Sequence, residues 1–259
     1  MRATCLGILG LGAGLLAGIT ARADELAVYR AAGADASLFD QYDNDGYSLA
    51  VSPLPRGEGV ELRVRVSAAP LSSRAPFPTG GPRDSSLPQA PERDELARGL
   101  ARGSAYEAQA VERILEGLAS RLRYDPDRTR RQDPASVFAS RRAHCVGYSE
   151  LAVDLLRRTG IAARTVQGVL RAGPGADGYE AGIGGVYHRW IEIYYPDSGF
   201  VFSDPSASIN GVDARYLPFG RRTLVRPKRL TLTRLESGGS LDYDVWRMPD
   251  GVLRVRPNR

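Results

Sequence analysis

The sequence predicts a protein of mixed helix and strand: a strand-rich start, a helical middle, and a run of strands after it. Three observations carry this reading. Residues 105–122 and 145–159 place apolar side chains at the spacing of a helix face. Residues 161–203 hold alternating or apolar runs bounded by turn residues, and residues 24–68 hold further short ones.

Residues 1–23 stand apart from the rest. Met1-Arg2 gives a positive start, Leu6 to Ile19 is apolar, and Ala21-Arg22-Ala23 is a small-x-small cleavage site before the polar Asp24-Glu25. That order is a secretory signal peptide, and its apolar run is too short for a comfortable membrane span. The mature protein is therefore expected to be exported, periplasmic or secreted. No other stretch is apolar for long enough to cross a bilayer.

Residues 24–68 read as a small β unit, through Glu25-Leu-Ala-Val-Tyr-Arg, Tyr47-Ser-Leu-Ala-Val and Val60-Glu-Leu-Arg-Val-Arg-Val. Asp43-Asn44-Asp45-Gly46 resembles part of a calcium loop, but Ser52 stands where the glutamate belongs, so a turn is expected. Residues 69–92, with Pro70, Pro76, Pro78, Pro82, Pro88 and Pro91 among Ser and Gly, read as a linker or long loop. Helical spacing then runs through Ala108, Val111, Ile114, Leu115, Leu118 and Leu122, and a short helix is expected at 134–140.

Cys145 to Thr159 is the clearest helix. Leu151, Ala152, Leu155 and Leu156 make its apolar face, Arg157 and Arg158 suit the negative end of its dipole, and Gly160 stops it. Ile161–Leu170, His188–Tyr195 and Gly199–Ser203 read as strands, the last two joined by a hairpin-type turn at Pro196-Asp-Ser-Gly199. The main domain is thus expected over 93–210. Residues 211–259 form a β-rich extension whose strands the sequence alone does not place.

The chain has 35 basic and 30 acidic residues among 259. Losing Arg2 and Arg22 with the signal peptide leaves a net charge of about +3. Lys228 is the only lysine, and no basic stripe interleaves with aromatics, so nucleic-acid binding is not expected. Cysteine usage is more telling. Exported proteins generally pair their cysteines, yet removal of Cys5 leaves Cys145 alone. It is either a buried structural thiol or a working one.

Its placement favours work. Cys145 opens the strongest helix, where free backbone amides and the positive dipole end stabilise a thiolate and could stabilise an oxyanion beside it. A thiol nucleophile needs a base, and the chain has two histidines. His144 is the neighbour of Cys145 and points elsewhere. His188 begins a strand and shares a face with Trp190 and Glu192. The turn at 196–199 folds the next strand back, bringing Asp204, just before Pro205, to the same end of the sheet. There it could orient the imidazole.

Four segments together resemble the transglutaminase-like superfamily. They are Ala143-His-Cys-Val-Gly-Tyr-Ser-Glu-Leu-Ala152, Leu155-Leu-Arg-Arg-Thr-Gly-Ile-Ala-Ala-Arg-Thr-Val-Gln-Gly168, His188-Arg-Trp-Ile-Glu-Ile193 and Phe202-Ser-Asp-Pro-Ser206. Leu122-Arg-Tyr-Asp125 resembles that family's lead-in, and the likeness spans roughly residues 105–210. It implies a papain-like α+β fold, with a nucleophile helix packed on an antiparallel sheet that carries the histidine and aspartate. It also implies a Cys145–His188–Asp204 triad acting on amide bonds without metal or organic cofactor. Two positions depart from the family: Ala143 where glycine is frequent, and Arg189 where a small residue is usual.

The resemblance implies acyl transfer through a thioester on a peptide or protein substrate. Water would resolve it in a peptidase or amidase, and an amine in a cross-linking transglutaminase. A scaffold module that keeps the fold without the activity is the alternative of another class. The Cys145 amide is one expected oxyanion donor; a second, the oligomeric state and the substrate are left open by sequence.

Overall fold

The computed structural model describes residues 24–67, 71–78, 84–127, 129–171, 186–221, 231–238, 243–247 and 253–257. Residues 1–23, where a signal peptide is expected, lie outside these residues. Among the described residues no helix is long and apolar enough to cross a membrane.

The chain begins with β1 (Glu25–Ala32), β2 (Tyr42–Asn44), β3 (Tyr47–Pro53) and β4 (Gly59–Val66). The Asp43–Gly46 motif forms the β2–β3 hairpin turn, where Gly46 takes φ 75°, a conformation that favours glycine. Helices α1 (Pro91–Ala101) and α2 (Glu107–Arg121) follow. The two-residue strand β5 (Arg123–Tyr124) comes next, and a short α3 (Pro134–Ser140) leads into β6 (Arg142–Ala143), which pairs parallel with β5. Helix α4 (Cys145–Arg158) has the predicted limits within a residue.

Strands β7 (Ala163–Leu170), β8 (Val186–Tyr195), β9 (Gly199–Ser203) and β10 (Tyr216–Pro218) make an antiparallel sheet in the order β10-β7-β8-β9. Beyond it lie β11 (Thr231–Gly238) and the hairpin β12 (Tyr243–Arg247) with β13 (Leu253–Pro257). The order of the second, larger sheet is β11-β1-β4-β3-β2. The residues past 210, which the sequence sets apart as an extension, therefore give a strand to each sheet.

The four-stranded sheet is buried on both faces, and this is why β8 reads as a near-continuous apolar run. Ile191, Ile193 and Tyr195 pack with α1, α2 and α4 in one cluster that includes Ile114, Leu115, Leu151, Leu155 and Leu156. Trp190, on the other face, packs with Phe202, Tyr216 and the apolar residues of the N-terminal sheet, such as Tyr29, Leu49 and Leu62. The N-terminal β unit thus shares a core with the main sheet. Polar contacts fix its docking: Asn44 Nδ2 donates to buried Glu192 at 2.8 Å, and the Asp45 amide donates to the Phe200 carbonyl at 2.8 Å. Burial of a carboxylate is tolerable because Arg164 and Arg221 also pair with Glu192.

The segment that composition marks as linker is bonded to the fold over 71–78. Ser73 Oγ and the Arg74 amide donate to Asp197 at 2.7 and 2.6 Å, and the Phe77 amide donates to the Ala105 carbonyl.

Candidate active site

Helix α4 begins at Cys145 because His144 caps it. The His144 Nδ1 accepts from the Val146 amide at 3.3 Å, and its own amide donates to Gln132 Oε1 at 3.1 Å. The imidazole nearest in sequence to the thiol is thus engaged as a cap. Gly147, within the first turn, leaves room for Gln132: a Cβ there would lie 2.4 Å from Gln132 Oε1. The Cys145 amide belongs to the first turn, whose N–H groups have no intrahelical carbonyl to reach.

Strand β8 brings His188 to this helix end. The Cys145 sulfur meets the His188 ring and also accepts from the backbone amide of Arg189. Burial would raise the thiol, but the hydrogen bond and charge of His188, with the Arg189 amide, hold it below its ordinary value. His188 Nε2 lies 2.6 Å from Asp204 Oδ2. A carboxylate only accepts, so Nε2 carries the proton and Nδ1 is left for the thiol. Burial would pull the imidazole down; the charge of Asp204, its hydrogen bond and the Cys145 contact instead push it up to about 10.

Asp204 is fully buried just after β9. Burial would raise its carboxyl, yet His188 and Ser206 keep it below the usual carboxylate range. Four hydrogen bonds hold its carboxylate. Oδ2 accepts from His188 and from the Tyr216 hydroxyl at 2.8 Å, and Oδ1 accepts from the Ser206 amide at 2.9 Å and hydroxyl at 2.6 Å. The structure thus brings Cys145, His188 and Asp204 together as a chain of contacts. Among the described residues no group of three or more His, Cys, Asp or Glu could hold a metal ion.

The sequence reading gave three further participants no part in the site. Ser206 could have been found, since an aspartate two residues before a serine is an Asx-turn signal. Nothing local marks Tyr216, which lies in the unplaced extension. Arg189 was singled out as a departure from the family, and its structure gives it a role. Its amide meets the sulfur, its carbonyl accepts from Ser149 Oγ at 3.0 Å, and its guanidinium pairs with Glu150 at 2.6 Å. Arg189 therefore fastens β8 to α4 beside the thiol. The two tyrosines next to Cys145 and His188 differ in kind. Tyr148 is core, with its hydroxyl on the Leu122 carbonyl and its ring stacked on Tyr124, whereas Tyr187 is 37% exposed beside Phe219.

Comparison with known proteins adds a family. Residues 94–205 match the profile of the transglutaminase-like superfamily. Among solved structures, a Cytophaga hutchinsonii protein whose name proposes a cysteine protease is 14% identical. The match covers 91% of this chain and 96% of that one, with a TM-score of 0.44. The periplasmic domain of TgpA from Pseudomonas aeruginosa is 17% identical over 71% of this chain and 89% of its own, with a TM-score of 0.37. No curated protein matches the chain. The matched stretch runs from within α1 to just past β9 and holds Cys145, His188 and Asp204, and over it this chain is similar to the transglutaminase-like superfamily.

Proposed function

We propose that the protein is an exported cysteine peptidase or amidase in which Cys145 is the nucleophile, His188 the general base and acid, and Asp204 the group that orients His188. The observation that carries this reading is the His188 ring held between a buried carboxylate at 2.6 Å and a thiol at the start of a helix. The thiolate attacks the amide carbonyl carbon, and the oxyanion forms beside the first-turn amides of α4. The C–N bond breaks as the imidazolium gives its Nδ1 proton to the departing amine, leaving a thioester on Cys145. Water then attacks the thioester carbonyl, its proton returns to Nδ1, and the carboxylic acid leaves as the sulfur is released. No step calls for a metal or an organic cofactor.

The test is alkylation of the mature protein with iodoacetamide across pH, with Cys145 followed by mass. A thiolate held by imidazolium reacts well below the free-thiol pKa of about 8.5, and His188→Ala restores ordinary behaviour. An unchanged profile in His188→Ala would sink the pairing, and a thiol inert at every pH short of unfolding would make the protein a binding module. Peptide amides with and without an added primary amine then decide the acceptor: free acid supports hydrolysis, and amine incorporation supports cross-linking.

A further inference from the structure

We propose that Tyr216 is a positioning residue for Asp204, and that the N-terminal sheet holds Tyr216 in place. The inference rests on the triad reading and extends it to a part of the chain outside the matched family stretch.

The argument starts from the hydroxyl. Tyr216 is buried, and a buried phenol must bond or pay for its lost water. Its partner is Asp204 Oδ2, the same oxygen that His188 uses. With Ser206 holding Oδ1 through two bonds, the carboxylate cannot turn without losing donors on both oxygens. The phenol ring is equally confined. It stands edge-on to His188 at 5.9 Å and to Trp190 at 5.3 Å between ring centres. Tyr216 therefore sets both where Asp204 sits and how much of its charge is left for the imidazole.

The backbone under Tyr216 is held from outside the main sheet. Tyr47 donates to the Tyr216 carbonyl at 2.5 Å, Tyr29 to the Ala214 carbonyl at 2.9 Å, and Tyr42 to the Phe219 carbonyl at 3.0 Å. Three hydroxyls of the N-terminal unit thus grip residues 214–219. The charged and titratable groups facing Tyr216 are Asp204, His188, Asp213 with its partner Arg215, and Tyr47. Cys145 faces His188 from α4. Of these, only Asp204 accepts from the Tyr216 hydroxyl.

Tyr216→Phe removes the hydroxyl and keeps the ring. A carboxylate that loses a donor is a stronger partner for the imidazolium, so the His188 midpoint moves up and the alkylation profile of Cys145 shifts with it. With two histidines in the chain, imidazole NMR reads His188 directly once His144→Gln assigns the other signal. The expected shift is about 0.5 pH unit or more, with hydrolysis slowed about tenfold in kcat at unchanged KM. Tyr47→Phe is expected to move both readouts in the same direction by less.

A merely structural tyrosine would lower thermal stability and leave the His188 midpoint and the alkylation profile where they are. That result in both variants overturns the proposal, and should Tyr216→Phe fail to fold, Tyr47→Phe decides alone. His188→Ala, run alongside, separates the two levels. If it leaves Cys145 alkylation unchanged, the triad reading fails and takes this inference with it. If it changes the profile and the tyrosine variants do not, only the positioning role fails.

Discussion

Replacing Gly168 by alanine would test how the outer strand of the main sheet is held against the site. Gly168 pairs with His188 on one side and with Pro218 on the other. A Cβ at this position would lie 2.2 Å from the Leu217 carbonyl oxygen, 2.5 Å from Trp190 and 2.8 Å from Pro218 Cα. An ordinary carbon-to-oxygen approach is about 3.3 Å, so β10 must retreat by roughly 1 Å. Two of the three obstacles are backbone and cannot swing aside. Overpacking of this kind costs about 1–3 kcal/mol, and the upper half of that range is expected here. For a chain of this length that lowers Tm by about 5–10 °C. The same retreat carries Tyr216, two residues from Pro218, away from Asp204 and breaks its 2.8 Å bond. Thermal unfolding and the Cys145 alkylation rate measure the two effects together. A Gly168→Ala protein with Tm within about 1 °C of the parent and alkylation within about twofold would refute the close β7–β10 approach.

Glu107, at the start of α2, gives a pH prediction. Burial and then the charge of Asp197 push its carboxyl up to about 7 from 4.5. The folded protein thus favours the protonated form: the penalty is absent below pH 4.5, grows up to about 7 and is constant above. Glu107→Gln should raise stability at pH 8 by at most about 3 kcal/mol and change little at pH 4, as denaturant midpoints at the two values will show. Asn44→Ala removes the donor that ties the N-terminal sheet to Glu192, and about 1.5–3 kcal/mol of stability should go with it. A midpoint unchanged from the parent would mean that Arg164 and Arg221 alone satisfy Glu192.

Much of the site was legible in the chain because its signals are local. A cysteine at a helix start, a histidine near a strand start and an aspartate before proline are each modest signals read within a few residues, and their combination in that order is what singled them out. Helix α4 is legible for the same reason, since its apolar face, its terminal arginines and Gly160 all lie within one stretch. The run Trp190-Ile-Glu-Ile-Tyr-Tyr195 shows a strand, but not that one face meets helices and the other meets the N-terminal sheet. Arg189 stands out as unusual in sequence, while its clasp on Glu150 and Ser149 depends on how α4 lies across β8.

What the sequence determined by itself is helices α2 and α4, the strands β7, β8 and β9 after them, and the cysteine, histidine and aspartate those elements carry, because periodicity and capping act over short stretches. What the tertiary structure decided is who supports them. Tyr47 reaches Tyr216 across 169 residues, and Tyr29 reaches Ala214 across 185. These pairings follow from the order in which strands lie side by side, with β10 beside β7 and β11 beside β1. Sheet order is set by burial of whole faces against one another, and no local pattern encodes which distant hydroxyl will find a given carbonyl.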